Sequence, residues 1–497
     1  MARSKKNING EKSRNAFRNV LILALIVIFG LLLRIFFFNG VGLSDSLEYS
    51  RYANAMSTGN FPPAEYDHGI GRIGLIIPIA FFYRIFGVDE ISSVLFNLLS
   101  SIGEIILIYF FARLMFNENV GLISAFLLCI FPLDVVNSTR MVSDLPSAFF
   151  ASFSAFVFLK AEKNYERSKS RMLYLLSGML FGAAYFIREM AILMSLFFLG
   201  YAVYKRKIKK EYFIMGLGFL IIFLIEMLVF YHYTGDPLFK INSLNSDSLL
   251  AVLKQINYYG RTEIPKFFLT WPFVIYGDIM LGYFYLFISL AAIYYLLNRK
   301  QDTNCLLIWF LSILLYLYLG SQSLRTYAPF VAVGRYLTFV AFPGLLLLGS
   351  FLYEKEKIIR KLILPFALIF LFLTSIGAIY LETNKTLYGT QKVIGIKTVK
   401  ETYKNDVYPL LKSFNKPVYT DERSVNILRY ISKFDKSFNL ISYDANLGKI
   451  NNLSDVYIMI NNKEAFGKSI ALIPYNWIKI KEIKDDPYEP IVVYYAK

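Results

Sequence analysis

MLYLLSGMLFGAAYFIREMAILMSLFFLGYAVYKRKIKK, residues Met172 to Lys210, is the stretch that decides the fold. From Met172 to Tyr204 it is apolar and interrupted only by the charged pair Arg188 and Glu189. One helix of that length would be about 50 Å long at 1.5 Å per residue, against a hydrocarbon core of roughly 30 Å. The stretch must therefore fold back on itself. A basic loop precedes it, Lys160 to Arg171, and LysArgLysIleLysLys, Lys205 to Lys210, follows it. Short loops rich in Lys and Arg stay on the cytosolic side, so the turn carrying Arg188 is expected outside.

Composition extends that reading to the whole chain. Of 497 residues, 56% are hydrophobic and 18% charged, too few polar residues to clothe a soluble globule of this size. The 46 Phe and 37 Tyr suit apolar faces and interfacial belts, where a ring buries its body and keeps a hydroxyl wet. They are not a stacking platform for nucleic acid, and no nucleic-acid partner is expected. The net charge of +17 resides largely in short loops, where it orients the chain. Cys129 and Cys305 both fall inside apolar runs, which argues against a disulfide framework or a zinc cluster.

About eleven spans are expected. The first, Val20 to Asn39, follows Arg3, Lys5, Lys6, Lys12, Arg14 and Arg18, which hold the N-terminus in the cytosol; it reads as an uncleaved anchor. Further spans are expected at Ile91 to Phe116, Val120 to Leu133, Leu145 to Leu159, the two arms of Met172 to Tyr204, Tyr212 to Tyr233, Asp278 to Leu297, Thr303 to Gly320, Tyr336 to Tyr353 and Leu362 to Leu381. The fold class is thus mainly α, a polytopic membrane protein: a cytosolic basic N-terminus over residues 1–19, a transmembrane domain over 20–382 and an extracytoplasmic domain over 383–497. The first outer loop, 40–90, should carry an amphipathic helix and then Ile73 to Gly87, which is apolar, short and broken by Pro78, and reads as lying along the interface or re-entering shallowly. In the tail, ProValTyrThr, AsnLeuIleSerTyr, AspValTyrIleMetIle and ProIleValValTyrTyr alternate with a helical stretch around Arg423 to Phe434, the pattern of a small α/β domain.

The residues fit for chemistry are those counted on the outer side. Asp45 opens AspSerLeuGlu, an Asp-x-x-Glu capping box with Glu48; a cap fixes a carboxylate's direction, and a general base needs one. Tyr49, Tyr52 and Met56 follow at helical spacing, a face suited to packing and able to rest on a sugar. Arg140 and Asp144, in AsnSerThrArgMetValSerAspLeuProSer, are spaced for an i, i+4 ion pair and equally for substrate positioning. Asp67 and His68 supply an acid and a histidine, but His232 is the only other His. No cofactor is required on this reading, and a divalent metal has no further support. Arg188 and Arg335 stand at outer span ends, and Arg72, Arg261, Lys266 and Arg325 in outer loops. Guanidinium groups take phosphate oxygens bidentately, and outward Arg is what topology selects against, so the phosphate reading competes with interfacial snorkelling. Glu104 and Glu226 lie inside spans and call for partners on neighbouring helices.

Several segments together resemble the polytopic GT-C glycosyltransferases, especially the protein O-mannosyltransferase and lipid A aminoarabinose transferase group. They are SerAspSerLeuGluTyrSerArgTyrAla with Gly59 and Asn60 following, IlePheGlyValAspGlu before the second span, the stretch Phe131 to Pro146, GlyMetLeuPheGlyAlaAlaTyrPheIleArgGlu and GlyArgTyrLeuThrPheValAlaPhePro. The resemblance covers about the first 350 residues. Where the family's interfacial loop often carries a Pro-Pro or acid-Lys-Pro element, this chain has TyrAspHisGlyIleGlyArg.

The resemblance implies an enzyme: a glycosyltransferase using a polyprenyl-phosphate sugar donor and a glycan, lipid or protein acceptor. Asp45 and Asp144 would be the catalytic acids, Arg188, Arg335 and Arg72 would bind the donor phosphate, and Glu48, Tyr49, Asp67, His68, Arg140 and Tyr336 would position substrate. It would work at the outer face of a membrane, expected to be a prokaryotic plasma membrane. The departing phosphate leaves as an anion, so positive charge matters more than a proton, while Asp45 takes the acceptor proton on the far face of the sugar, a single displacement with inversion. The alternatives are a lipid-linked sugar flippase or transporter, although the paired repeats of transporters are not evident, and a surface polysaccharide polymerase.

Overall fold

The structure, a computed structural model, describes residues 2–42, 45–63, 68–163, 167–243, 264–321, 327, 329–330, 332–354, 357–383, 400–443, 453–460, 476–483 and 491–497. The chain divides into two compact units. One comprises Met1–Phe38, Ala64–Pro78 and Val94–Glu382; the other comprises Asn39–Pro63, Ile79–Ser93 and Thr383–Lys497.

The helices run α1 (Ala2–Phe36), α2 (Asp45–Ser57), α3 (Ile73–Phe86, after a 3-10 turn His68–Arg72), α4 (Glu90–Met115), α5 (Glu118–Cys129), α6 (Pro132–Ser138), α7 (Asp144–Lys163), α8 (Arg167–Ile187), α9 (Met194–Tyr204) and α10 (Glu211–Thr234). They continue as α11 (Ile264–Gly277), α12 (Phe284–Asn298), α13 (Gln301–Leu319), α14 (Thr338–Glu354), α15 (Lys357–Thr383), α16 (Tyr408–Lys412) and α17 (Glu422–Ile431). Among the described residues nine helices are long and apolar enough to cross a membrane, or ten if α5 and α6, bent by 60° at Ile130–Phe131, count as one span. The expected run Val120 to Leu133 is thus broken where Pro132 starts a new helix. The segment through α3, read as interfacial, is here long and apolar enough to cross. Pro78 sits within α3 without ending it.

In the first unit the long stretch does fold back: α8 ends at Ile187, Arg188 is extended, and a 3-10 turn Glu189–Leu193 leads into α9. α7 and α8 form an antiparallel hairpin tied by matched rungs, Ser147 Oγ to Ala184 O at 2.8 Å, Ser154 Oγ to Ser177 O at 2.7 Å and Ser170 Oγ to Ala161 O at 3.2 Å. α8 and α10 cross backbone to backbone. A Cβ at Gly178 would strike Met215 O, and one at Gly218 would strike Leu175 O. Small residues permit that approach where no hydrophobic force between helices operates in lipid. Among the described spans the one through α14, Gly334–Glu354, is the most buried, 83% against 22% for α10, in keeping with its being apolar all round. Phe111 and Trp309 pack against its Phe342, and Phe197 packs against Trp309.

Arg34, fully buried in α1, knits α1 to α4, α5 and α6. Its guanidinium pairs with Asp134 of α6 and donates to Ser101 Oγ of α4 at 2.8 Å, Gly30 O at 2.9 Å and Cys129 O at 3.2 Å. Glu104, one turn on from Ser101, is buried near the same pair. At the end of the hairpin with the basic loop, Glu162 accepts hydrogen bonds from Tyr174, from Tyr212 Oη at 3.1 Å and from Lys209 Nζ at 2.8 Å, joining α7, α8 and α10.

The second unit contains a five-stranded sheet in the order β2-β1-β3-β5-β4, with β1 (Val418–Thr420), β2 (Leu440–Ser442), β3 (Val456–Ile460), β4 (Trp477–Ile483) and β5 (Ile491–Ala496). β1 is parallel to β2 and β3, and β5 antiparallel to β3 and β4. This is the expected α/β pattern with one strand more: β4, whose apolar and charged residues mix on an edge. Tyr443, Ile458, Trp477, Val492 and Tyr494 form its core.

Candidate functional site

One group of charged side chains in the first unit lies at the end of the α7–α8 hairpin away from the basic loop. Asp144 opens α7, and Arg188 stands one residue past α8, so the hairpin itself sets the two side by side. They form a buried ion pair, and Arg188 Nη1 also donates to Ser143 Oγ at 3.2 Å. Within the described residues Asp144 Oδ1 and Arg188 Nε, both buried, have no hydrogen-bond partner. A buried polar atom left unpaired costs about 1–3 kcal/mol, so both atoms stand to gain from a water or ligand that reaches them.

Tyr336 and Arg335 complete the cluster. They lie in a 3-10 turn, Gly334–Leu337, that leads into α14. The Tyr336 ring has the Arg188 guanidinium 5.4 Å from its centroid and that of Arg335 at 5.7 Å. Two cations thus border one π system, each attracted by its face. Arg72 joins from the turn before α3 through Glu189, the residue after Arg188, at 2.9 Å. Four residues singled out in the sequence, Asp144, Arg188, Arg335 and Tyr336, are therefore neighbours, with Arg72 linked to them by one residue.

Arg140 does not pair with Asp144. It lies between α6 and α7, ahead of the helix, so the i, i+4 geometry does not exist; it bonds Glu382 at 3.2 Å instead. Burial pulls its guanidinium below the usual value while Glu382 opposes the shift. Asn97 Nδ2 donates to Val142 O at 2.6 Å and braces the same connection. Glu226 finds its partner in Lys240 at 2.8 Å.

Asp45, Glu48 and Tyr49 belong to the second unit. Asp45 is exposed at the start of α2. Glu48 accepts from Arg51 at 2.6 Å and from Asn426 of α17 at 2.9 Å. Tyr49 and Tyr52 are buried, which is the packing role expected of that stripe. Hydroxyls brace α2 as well: Ser50 to Tyr83 at 2.8 Å, Tyr83 to Ser93 at 2.7 Å and Ser93 to Tyr430 at 3.1 Å. Burial pushes the Tyr430 hydroxyl well above the usual range, so it stays protonated. Asp67, Arg261 and Arg325 lie outside the described residues, as do the side chains of His68 and Lys266. Sequence reasoning missed Ser143 and Lys240; Lys240 carried the same signal as the arginines, a cation in a segment expected to lie outside.

Residues 76–231 match the family model described as dolichyl-phosphate-mannose-protein mannosyltransferase. No curated protein matches the chain by sequence. In fold the chain is similar to ArnT from Cupriavidus metallidurans in the apo state, with a TM-score of 0.63, 12% identity, and 97% of this chain and 98% of that one covered. It is similar too to ArnT from the same organism bound to undecaprenyl phosphate, with a TM-score of 0.60, 12% identity, and 96% and 97% covered. The archaeal oligosaccharyltransferase AglB from Archaeoglobus fulgidus, in complex with an inhibitory peptide and a dolichol-phosphate, aligns with a TM-score of 0.55 and 12% identity over 91% of this chain and 70% of that one. The chain thus has the fold of these proteins, and the resemblance to the GT-C glycosyltransferases read from its sequence is borne out.

Proposed function

We propose that this protein is a membrane glycosyltransferase that moves a sugar from a polyprenyl-phosphate carrier to an acceptor hydroxyl. One observation carries the reading: the buried Asp144–Arg188 pair, short of hydrogen-bond partners, with Tyr336 and Arg335 beside it. A phosphate would satisfy Arg188 Nε and gain a second guanidinium from Arg335. The undecaprenyl phosphate and dolichol-phosphate bound by proteins of this fold support that ligand class. The loop charges support a cytosolic N-terminus with the Arg188 end outside, and a prokaryotic plasma membrane is the setting we infer.

In the reaction the bond between the anomeric carbon and the phosphate oxygen breaks as the acceptor oxygen bonds to that carbon from the opposite face. The electron pair stays on the phosphate, and Arg188 and Arg335 stabilise its growing charge. Asp144 holds Arg188 in direction. The acceptor proton goes to a carboxylate, which we assign to Asp45 on the reading of its sequence segment.

The test is transfer by purified protein from a polyprenyl-phospho-hexose to a panel of hydroxyl acceptors, with Asp45→Asn alongside. Turnover with an inverted anomeric centre, lost in the variant, is expected. Retention of configuration would overturn the single displacement, unchanged turnover in D45N would overturn the base assignment, and translocation without transfer would make the protein a flippase.

A further inference from the structure

Where α8 stops, its carbonyls need donors. The Arg188 amide reaches back to Ala184 O at 3.0 Å, but the chain then turns extended, with φ −152° and ψ 130°. In a continuing helix the oxygens of Tyr185 and Phe186 would receive amides 189 and 190. They receive Lys240 instead: its Nζ donates to Tyr185 O at 2.6 Å, Phe186 O at 3.2 Å and Glu226 at 2.8 Å, and sits 4.4 Å from the centroid of the Tyr185 ring. Lys240 is buried and lies past the end of α10. Its charge also stands at the negative end of the α8 dipole. On the other flank, Gly74 of α3 lies so close that a Cβ there would come within 2.6 Å of Phe186 O.

We propose that Lys240 is a positioning residue: by capping the broken end of α8 it holds residue 188 extended and aims the Arg188 guanidinium at Asp144. The inference rests on the reading of Arg188 as a phosphate ligand but concerns the break itself. Burial pulls the Lys240 ammonium down to about 8 while Glu226 raises it. The charged groups facing it are Glu226 of α10 and, as an opposing cation, Arg72 from the turn before α3. The cap should therefore weaken as pH climbs through that value.

Two measurements on full-length protein in nanodiscs separate the inference from the functional reading. Hydrogen–deuterium exchange across residues 185–193 should rise in Lys240→Met relative to wild type, with the rest of the α7–α8 hairpin unchanged. Undecaprenyl phosphate affinity should fall about tenfold in Lys240→Met, the equivalent of one charged hydrogen bond. Wild-type affinity should drop between pH 7 and 9.5, while Lys240→Arg, which stays charged, should hold its affinity over that range. Unchanged exchange at 185–193 in K240M, or identical pH profiles for wild type and K240R, would overturn the positioning role. Wild-type protein that fails to bind undecaprenyl phosphate at any pH would overturn the functional reading, and the exchange experiment would still decide the inference.

Discussion

Arg188 is where the proposed chemistry and the fold meet. It is the residue at which an overlong apolar run must turn, and its guanidinium is then aimed by Asp144, Ser143 and the ring of Tyr336. A planar fork and a point charge are not interchangeable in such a setting. We expect Arg188→Lys to lower turnover about 100-fold, the scale of losing one preorganised donor to a developing anion, with expression intact. Steady-state transfer rates check it. Arg34 makes the complementary case. With Asp134 it is a buried pair remote in sequence, and removing one partner leaves an uncompensated charge. Arg34→Met should destabilise the protein by about 3–5 kcal/mol, and Arg34→Met with Asp134→Leu by much less, because both charges then go. Thermal melting in detergent compares the two. Arg34 sits inside the first expected apolar run and drew no attention there, since its partner Asp134 lies in another segment and sequence spacing carries no sign of such contacts.

At the scale of elements, the α7–α8 hairpin is the frame, and α10 is pressed onto it at Gly178 and Gly218. Gly178→Val must push α10 away, because its side chain would meet the backbone at Met215. The expected result is a lower melting temperature and weaker undecaprenyl phosphate binding, since Lys240 follows directly from α10; a variant with wild-type melting and binding would contradict the frame. The run lengths that betrayed the fold-back at Arg188 and the period of the tail strands were legible because lipid and sheet each impose a simple rule on local sequence. β4 escaped that rule. Trp477 to Ile483 is an edge strand with most of its side chains exposed, so it lacks the apolar run that marked the other four. The Pro132 break was equally hidden, because the apolar character continues through it and only the direction of the chain changes.

For the molecule as a whole, we propose that one end of a bundle of membrane helices holds an isoprenoid phosphate with arginines drawn from two separate segments, Arg188 after α8 and Arg335 before α14. The membrane character could be read from apolar runs, and Arg188 and Arg335 could be placed at span ends, because position relative to a span is a local property. Which carboxylate meets which cation could not: Arg140 goes to Glu382 and Asp144 to Arg188, choices settled by where helices end in space. The most direct test is an experimental structure of the protein in nanodiscs with undecaprenyl phosphate. The account predicts phosphate density within hydrogen-bond reach of Arg188 Nε and beside Arg335; a phosphate bound at the Lys160–Lys163 end of the hairpin, or away from both arginines, would contradict it.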